Sequence, residues 1–471
     1  MSGRLVVVSN RIPLGGPGSG GLVVALHEAL SERGGIWIGA EDIDHEEPAD
    51  QLRRREGGAY EKYTFDLTPK DREEYYLGFS NSVLWPLCHR RTDLIDYETR
   101  HAEGYERVNA RLARMLAEML EPDDRLWIQD YHFFPLAARL RELGVENRIG
   151  FFLHIPFPNA SDLPALPRSE LFVDWIAAYD LFGLQTRRDV AACLEFFRAA
   201  PDAELMLDGA VRRGAHTVRV ASFPIGIDPH ALEEAADARR AEAKLRLDRR
   251  ERLLIGVDRL DYSKGIPNRL KAMGAYLDRR KPDEPRATLL QIAPPSRERV
   301  LAYREVRDEI ELLTGKINGE HSQIDWTPVR YIHKPVEREL LAAIFQRADV
   351  ALVTSLADGM NLVAKEYVAS QIPEDPGVLI LSRFAGAAEQ MQEALIVNPY
   401  DISEMADAID RALAMPLDER RERHAALHDG VRRYDIGWWT RAFLDELDHC
   451  PKQIGRNFRE RASGRDEERG E

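Results

Sequence analysis

The chain has 471 residues, room for about two to three domains at roughly 150 residues each. Its 44% hydrophobic and 31% charged content fits a globular protein, and no apolar run reaches the roughly 18 residues of a membrane-spanning helix. Lysine and arginine total 65 against 80 acidic residues, a net charge of −15. That balance excludes a general nucleic-acid surface, so positive charge for an anionic ligand has to be local. The opening MSGRLVVVSNR reads as a strand, because it lacks the longer apolar stretch and small-residue cleavage site of a secretory signal. Cys88, Cys193 and Cys450 are scattered with no CxxC pair, which argues against a disulfide scaffold or structural zinc and for a reducing, cytoplasmic setting.

In chain order, apolar β-rich runs predict strands over 5–9, 126–129, 149–153, 181–184, 218–223, 253–257, 288–292, 329–332, 350–354 and 378–381. Amphipathic runs between them predict helices over 104–120, 136–143, 189–198 and 299–314. Strands that are apolar on both faces and alternate with helices imply parallel sheets covered on both sides. Ten strands are many for one sheet, so the fold class expected is α/β with two doubly wound, Rossmann-like domains. The best divide is the Ala- and charge-rich stretch 228–250, read as an exposed helix near a linker. Domains are expected at 1–228 and 229–435, with a last helix at 436–454 returning to the first domain and a disordered, Arg/Glu/Gly-rich tail at 455–471.

Ligands of doubly wound sheets lie beyond the carboxyl ends of the strands, so polar residues there are candidates. Arg11 follows the first strand, ahead of a glycine-rich stretch ending at Gly21 and a helical run. Such a turn bares N–H groups for a phosphate, although it fits neither standard nucleotide fingerprint. A flexible loop and a surface ion pair explain the same residues. Asp130 sits just past a strand, where it either meets sugar hydroxyls or caps the next helix. His154 ends an apolar strand and is held by Pro156 and Pro158; it is either a rigid site residue or a structural one. Arg259 and Lys264 in DRLDYSKG suit a leaving diphosphate without a metal, or else salt-bridge to Asp258 and Asp261. In ADGMNLVAKE a glycine loop enters a helix; Glu366 can accept bonds from a ribose diol, and Lys365 reads as a solvated face. No HExxH, EF-hand, Cys/His cluster or GxSxG elbow is present.

VVVSNR, EYYLGFSNSVLWP, DYHFFP, GFFLHIPFP, DRLDYSKG, TSLADGMNLVAKEY and NPYD, in this order, resemble glycosyltransferase family 20, the retaining trehalose-6-phosphate synthases. The resemblance runs from about Arg4 to about Trp439. It implies a GT-B fold, with the site in the cleft between an N-terminal acceptor-binding domain and a C-terminal donor-binding one. It further implies glucosyl transfer from UDP-glucose to glucose 6-phosphate by front-face attack, without a metal or other cofactor. By motif position it places Arg11, Tyr76, Trp85, Asp130 and Arg297 at the acceptor. Gly21, Arg259, Lys264, Val336, Asp358, Leu362, Val363 and Glu366 fall at the donor, and His154 and Asp358 hold the transferred glucose. Residue chemistry agrees in part. Tyr76 and Trp85 offer aromatic faces, with Asn81 and Pro86 suggesting a loop, and Arg297 follows a predicted strand, so it can join Arg11 on a dianionic phosphate.

Three positions depart from the family's usual pattern, the first of them near the acceptor. Ala40 replaces a usual aromatic in WIGAED, Gln129 a usual histidine and Ala357 a usual arginine. Glycerol 3-phosphate as acceptor, another glucose nucleotide as donor, a pseudo-glycosyltransferase and a non-transferring binder therefore stay open. The expected partners are small-molecule substrates and further copies of the chain in a homo-oligomer, with no nucleic acid and no membrane.

Overall fold

The computed structural model describes residues 3–14, 21–206, 209–214, 216–240, 251–281, 283–297 and 300–451. The glycine stretch 15–20, the end of the charged segment at 241–250 and the tail expected at 455–471 lie outside the described residues. The chain divides into two units, Met1–Phe223 with Thr440–Glu471, and Pro224–Trp439.

The first unit is built on one ten-stranded sheet. Its strands are β1 (Leu5–Val8), β2 (Ile36–Asp42), β3 (Arg53–Arg55), β4 (Glu61–Leu67), β5 (Arg125–Gln129), β6 (Arg148–Phe152), β7 (Leu181–Leu184), β8 (Ala203–Leu205), β9 (Ala210–Arg213) and β10 (His216–Ser222). They run in the order β3-β4-β2-β1-β5-β6-β7-β10-β9-β8. The central strands pair in parallel and are sealed on both faces: Val7, Trp37, Trp127, Ile128, Phe151 and Phe152 are fully buried. Strand order reverses between β1 and β5, which opens a crevice at their carboxyl ends. Arg11 and Asp130 follow those two strands.

The helix Ile436–His449 closes this unit from far along the chain. Phe443 stacks on Trp127 at 4.7 Å between ring centres. A Cβ at Gly150 or Gly183 would come within 2.8 or 2.7 Å of the Phe443 ring, so those strands carry glycine where the ring seats.

The second unit holds a six-stranded parallel sheet. Its strands are β11 (Arg252–Val257), β12 (Ala287–Ile292), β13 (Val329–Ile332), β14 (Val350–Val353), β15 (Val378–Ser382) and β16 (Leu395–Val397), ordered β13-β12-β11-β14-β15-β16. Its reversal lies between β11 and β14. The loops leaving those strands carry Arg259 with Lys264, and Asp358 with Asn361.

Several expectations need correction. The divide falls after Phe223 and again after Trp439, a few residues from the expected 228 and 435. The reason is bonding inside the second unit: Ile225 O accepts from Lys365 Nζ, and Ile227 O accepts from Ile436 N. The segment read as an exposed linker helix is Pro229–Arg239, N-capped by Asp228, with Leu232 and Ala236 buried. It packs on helices Arg338–Arg347 and Leu362–Ser370. Strands β2, β3, β4, β8, β9 and β16 were not predicted. Helix Leu417–Arg433 was missed, and the helix expected to end at 314 continues, as Leu301–His321.

The EYYLGFSNSVLWP segment is helix rather than loop. Residues Arg72–Leu84 wind as a π-helix, which runs directly into Trp85–Cys88. Its wider turn shows in side-chain bonds spanning five residues: Asn81 Nδ2 donates to Tyr76 O at 2.7 Å and Ser82 Oγ to Leu77 O at 2.9 Å. Gly78 and Gly104 let this helix lie against Thr99–Met119, since a Cβ at either would sit within 2.5 Å of His101 or 2.4 Å of Glu74. Arg107 and Arg111 bind Asp71 at 2.7 and 2.8 Å and anchor its start.

Candidate active site

In the first unit the chain leaves β1 as Ser9-Asn10-Arg11 and is tied down at once. Trp37 Nε1 donates to Ser9 Oγ at 2.8 Å, Ser9 Oγ donates to Arg11 O at 2.8 Å, and Tyr75 Oη donates to Asn10 Oδ1 at 3.0 Å. Gly39 has no side chain to obstruct the passing backbone: a Cβ there would lie 2.5 Å from Ile12 Cγ2 and 3.1 Å from Ile12 N. Arg11 is exposed, with its guanidinium carbon 5.5 Å from the centre of the Tyr76 ring and Nη2 3.4 Å from Tyr76 Oη. Tyr76 stacks on His132 at 5.9 Å and 9°. Arg11 and Tyr76 thus form one cationic, aromatic edge. Trp85, by contrast, is 3% exposed and stacked on His89 at 4.1 Å, a packing position. Ala40 follows the same path, its N–H donating to Asn10 O at 3.2 Å.

Asp130 takes φ 75° and ψ 167°, a conformation that ordinarily only glycine accepts. Three bonds hold it there. Its N–H donates to Phe152 O at 2.8 Å, its carbonyl accepts from Phe133 N at 3.2 Å, and its Oδ1 accepts from His154 N at 3.1 Å. The helix-cap explanation is excluded, because the side chain bonds to His154 and does not cap the turn Tyr131–Phe133. The His154 ring packs 4.7 Å from Phe152, with Nε2 2.9 Å from Gln129 Oε1. Burial pushes the His154 pKa down to about 3, so its ring is neutral at physiological pH.

In the second unit, Lys264 Nζ reaches Asp358 Oδ2 at 2.5 Å. Asp358 Oδ2 also accepts from Ser355 Oγ at 3.1 Å and Asn361 Nδ2 at 3.0 Å. Lys264 thus bridges to Asp358 and not to the expected Asp258 or Asp261. Asp258 pairs with the fully buried Arg269 at 2.8 Å, while Asp261 accepts from Tyr303 Oη at 2.9 Å and Ser263 N at 2.9 Å. Arg259 is exposed at the mouth of β11. Gly265, at φ 65°, makes the turn that delivers Lys264; a Cβ would strike Thr354 O at 2.3 Å.

Asn361 adopts φ 70° before helix Leu362–Ser370 and spends its amide on Asp358 and Ser355, so it does not cap that helix. The helix begins at the half-buried Leu362 and Val363 with no side-chain cap, a setting for anionic oxygen. Glu366 is half-buried on the same helix; burial raises its pKa and the charge of Arg338 opposes this. Lys365 is not on a solvated face: it is 1% exposed, and Nζ donates to Ile225 O at 2.8 Å and Gln390 Oε1 at 2.7 Å. Val336 is half-buried in the segment after β13, and Gly21 opens the helix Gly21–Arg33.

Arg297 has φ 48°, and its side chain is only 7% exposed. Nη1 lies 2.6 Å from Tyr303 Oη and 3.7 Å from Asp261 Oδ2, so this arginine is braced from behind. Of five non-glycine residues with positive φ among the described residues, three are Asp130, Arg297 and Asn361. Strain concentrates where the motifs do. Ser355, Asn361, Tyr303 and Gln129 escaped the sequence reading as site residues. Position just past a strand end was the available signal for Ser355, and position at a strand's last residue for Gln129. Among the described residues no group of three or more His, Cys, Asp or Glu is arranged to hold a metal ion, and no helix is long and apolar enough to cross a membrane.

Comparison with known proteins gives this arrangement a family. The chain is 44% identical over 455 residues to the trehalose-6-phosphate synthase of Klebsiella pneumoniae subsp. pneumoniae, covering 95% of each. Its fold superposes with a TM-score of 0.90 on an α,α-trehalose-phosphate synthase (UDP-forming) from Burkholderia xenovorans in complex with glucose-6-phosphate, at 43% identity, covering 95% of this chain and 100% of that one. A structure from E. coli bound with UDP-2-fluoro glucose matches with a TM-score of 0.89 at 42% identity, over 95% of this chain and 100% of that one. The sequence profile of glycosyltransferase family 20 matches residues 15–449, and the chain belongs to that family.

Proposed function

We propose that the protein is a retaining glucosyltransferase that moves glucose from UDP-glucose to glucose 6-phosphate, giving α,α-trehalose 6-phosphate and UDP. The observation that carries this reading is the Lys264–Asp358 cluster at the uncapped start of helix Leu362–Ser370, in a chain that matches family 20 over residues 15–449. The UDP-forming Burkholderia xenovorans enzyme with glucose-6-phosphate bound supports the acceptor, and the E. coli structure with UDP-2-fluoro glucose supports the donor.

Arg259 and Lys264 neutralise the diphosphate as the bond to the anomeric carbon breaks, with help from the N–H groups of Leu362 and Val363. Preorganised donors of this kind are each worth on the order of 10²–10³ in rate. Asp358, oriented by Lys264, Ser355 and Asn361, holds a hydroxyl of the transferred sugar, and so does His154. Glu366 accepts from the ribose and Val336 packs by the nucleotide. Arg11, Tyr76 and Arg297 bind the acceptor phosphate, and Asp130 the acceptor sugar. No metal enters this transfer. Three buried free thiols, Cys88, Cys193 and Cys450, support a reducing cytoplasm as its setting.

A second acceptor reading, glycerol 3-phosphate, has one observation in its favour. Ala40 stands beside the Asn10–Arg11 segment with no aromatic ring to face a hexose. UDP release measured over a grid of glucose nucleotides and phosphorylated acceptors, with NMR assignment of the product's anomeric carbons, separates the two. Release with UDP-glucose only when glucose 6-phosphate is present supports the main reading, and release only with glycerol 3-phosphate replaces it. Activity surviving EDTA is expected; strict metal dependence would contradict the mechanism.

A further inference from the structure

Arg269 sits on the helix Ile266–Arg279 and is fully buried, with its guanidinium at the carboxyl ends of three neighbouring strands, β12, β11 and β14. Nη1 donates to Oε1 of Gln291, the next-to-last residue of β12, at 2.9 Å. Nε donates to Oγ1 of Thr354, just past β14, at 3.0 Å. Nη2 pairs with Oδ2 of Asp258, just past β11, at 2.8 Å. A guanidinium only donates, so it is the oxygen of the Gln291 amide that has to face it. Gly256 leaves it room: a Cβ there would lie 2.5 Å from Nη1 and 2.6 Å from Gln291 Oε1. A buried ion pair is a poor way to gain stability, since well-packed apolar side chains of similar volume often do as well or better. What those cannot do is hold three strand ends at fixed angles to one another, which a rigid fork of donors can.

Both donor loops start at these contacts. Asp258 is followed by Arg259 and then by the turn Tyr262–Lys264, which ends on Lys264. Thr354 is followed by Ser355, whose hydroxyl binds Asp358 at 3.1 Å. The two loops touch: Ser263 O accepts from Leu356 N at 2.7 Å and from Ala357 N at 3.3 Å, and Lys264 meets Asp358 at 2.5 Å. We infer that Arg269 is a positioning residue which, by tying Asp258 to Thr354, sets the distance between the two loops and so the shape of the seat for the donor's diphosphate. It has no exposed surface of its own and acts only through the loops. The link to the diphosphate rests on the proposed function; the tie between the loops does not.

The test uses the full chain, with UDP and UMP as probes that differ by one phosphate, and hydrogen exchange to read the loops. The wild-type protein is expected to bind UDP more tightly than UMP in calorimetry. Arg269→Lys keeps a charge beside Asp258 but loses the fork, and is expected to cut that preference about tenfold, the value of one charged hydrogen bond. Thr354→Val, nearly the same shape, severs only the tie to β14 and leaves the ion pair with Asp258; it is expected to cut the preference about threefold, and it carries the test alone should Arg269→Lys fail to fold. The ratio of the two affinities is the same for any folded fraction, so lost stability by itself does not move it. In both variants, peptides covering 258–264 and 354–361 are expected to exchange faster while β11 and β12 stay protected. Exchange in Thr354→Val that is unchanged, or faster evenly through the second unit, overturns the inference. Loosened loops with an unchanged ratio overturn the link to the diphosphate. Should the wild-type protein show no preference for UDP over UMP, the exchange data still decide whether Arg269 ties the loops, and it is the proposed function that fails.

Discussion

Lys264 and Asp358 stand 94 positions apart in the chain and meet at 2.5 Å, with both side chains 12% exposed. Each offers the other an opposite charge at hydrogen-bond distance in a place with little water. Lys264→Met is therefore expected to lower kcat on the order of 10²–10³ and also to lower the melting temperature, because it strands a carboxylate. Adding Asp358→Asn should restore the melting temperature and leave kcat low. A double variant that regains activity would show that the lysine only satisfies the aspartate.

Arg11 gets different treatment because it is exposed and rests on Tyr76. Arg11→Ala is expected to raise the KM for glucose 6-phosphate about ten- to a hundredfold, as for charged hydrogen bonds lost, with kcat and melting temperature nearly unchanged. Tyr76→Phe removes only the 3.4 Å contact to Nη2 and should raise that KM far less. Steady-state kinetics at saturating UDP-glucose reads both. An unmoved KM in Arg11→Ala would remove this residue from the acceptor site.

Lys365 gives stability a pH signature. Burial drops its pKa from the ordinary 10.5 to about 7 in the folded protein. Between those values the unfolded chain binds the extra proton, so this group makes stability rise with pH from about 7 to 10.5, by about 1.4 kcal/mol per pH unit at most. Below pH 7 both states are protonated and the slope vanishes. Lys365→Met should erase the slope in urea unfolding curves compared across that range. Parallel pH curves for the two proteins would contradict the assignment.

Arg141 and Asp180 form an ion pair at 2.9 Å with neither side chain exposed. Arg141 also donates to Val145 O and Asn147 O, and Asp180 accepts from Ile149 N, so the pair joins β6 and β7 to the preceding helix. Arg141→Met is expected to cost about 3–5 kcal/mol in chemical denaturation, as for a buried charge left alone. Enzyme that stays folded should keep its KM values, since none of the substrate groups is touched.

The sheet centres were legible because burial on both faces leaves an apolar signature: β1, β5, β6, β7, β11, β12, β14 and β15 all read as short apolar runs. Strands β3 and β4 were not, because β3 edges the sheet and carries RRR, and β4 beside it, EKYTFDL, mixes charged with apolar residues. The π-helix looked like a loop because of Asn81 and Pro86, and Gly78, Ser80 and Ser82 are poor helix formers too. They are retained by a winding that lets Asn81 and Ser82 bond their own backbone five residues back. Lys365 read as solvent-facing since its acceptors, Ile225 and Gln390, are 140 and 25 positions away. For the site, motifs marked the loops but not the pairings. Lys264 looked like a partner for Asp261 three residues off, and only the fold sends it to Asp358.

The seating of Phe443 between Gly150 and Gly183 has a bearing on biosynthesis. During translation the first ten strands emerge long before this ring does, and they wait with its seat at Gly150 and Gly183 unfilled by it. The order of synthesis and the order of assembly therefore differ: the opening half of the polypeptide reaches its finished state only after residues beyond 440 have left the ribosome. In the meantime the apolar seat of that ring is uncovered, the kind of surface chaperones shield.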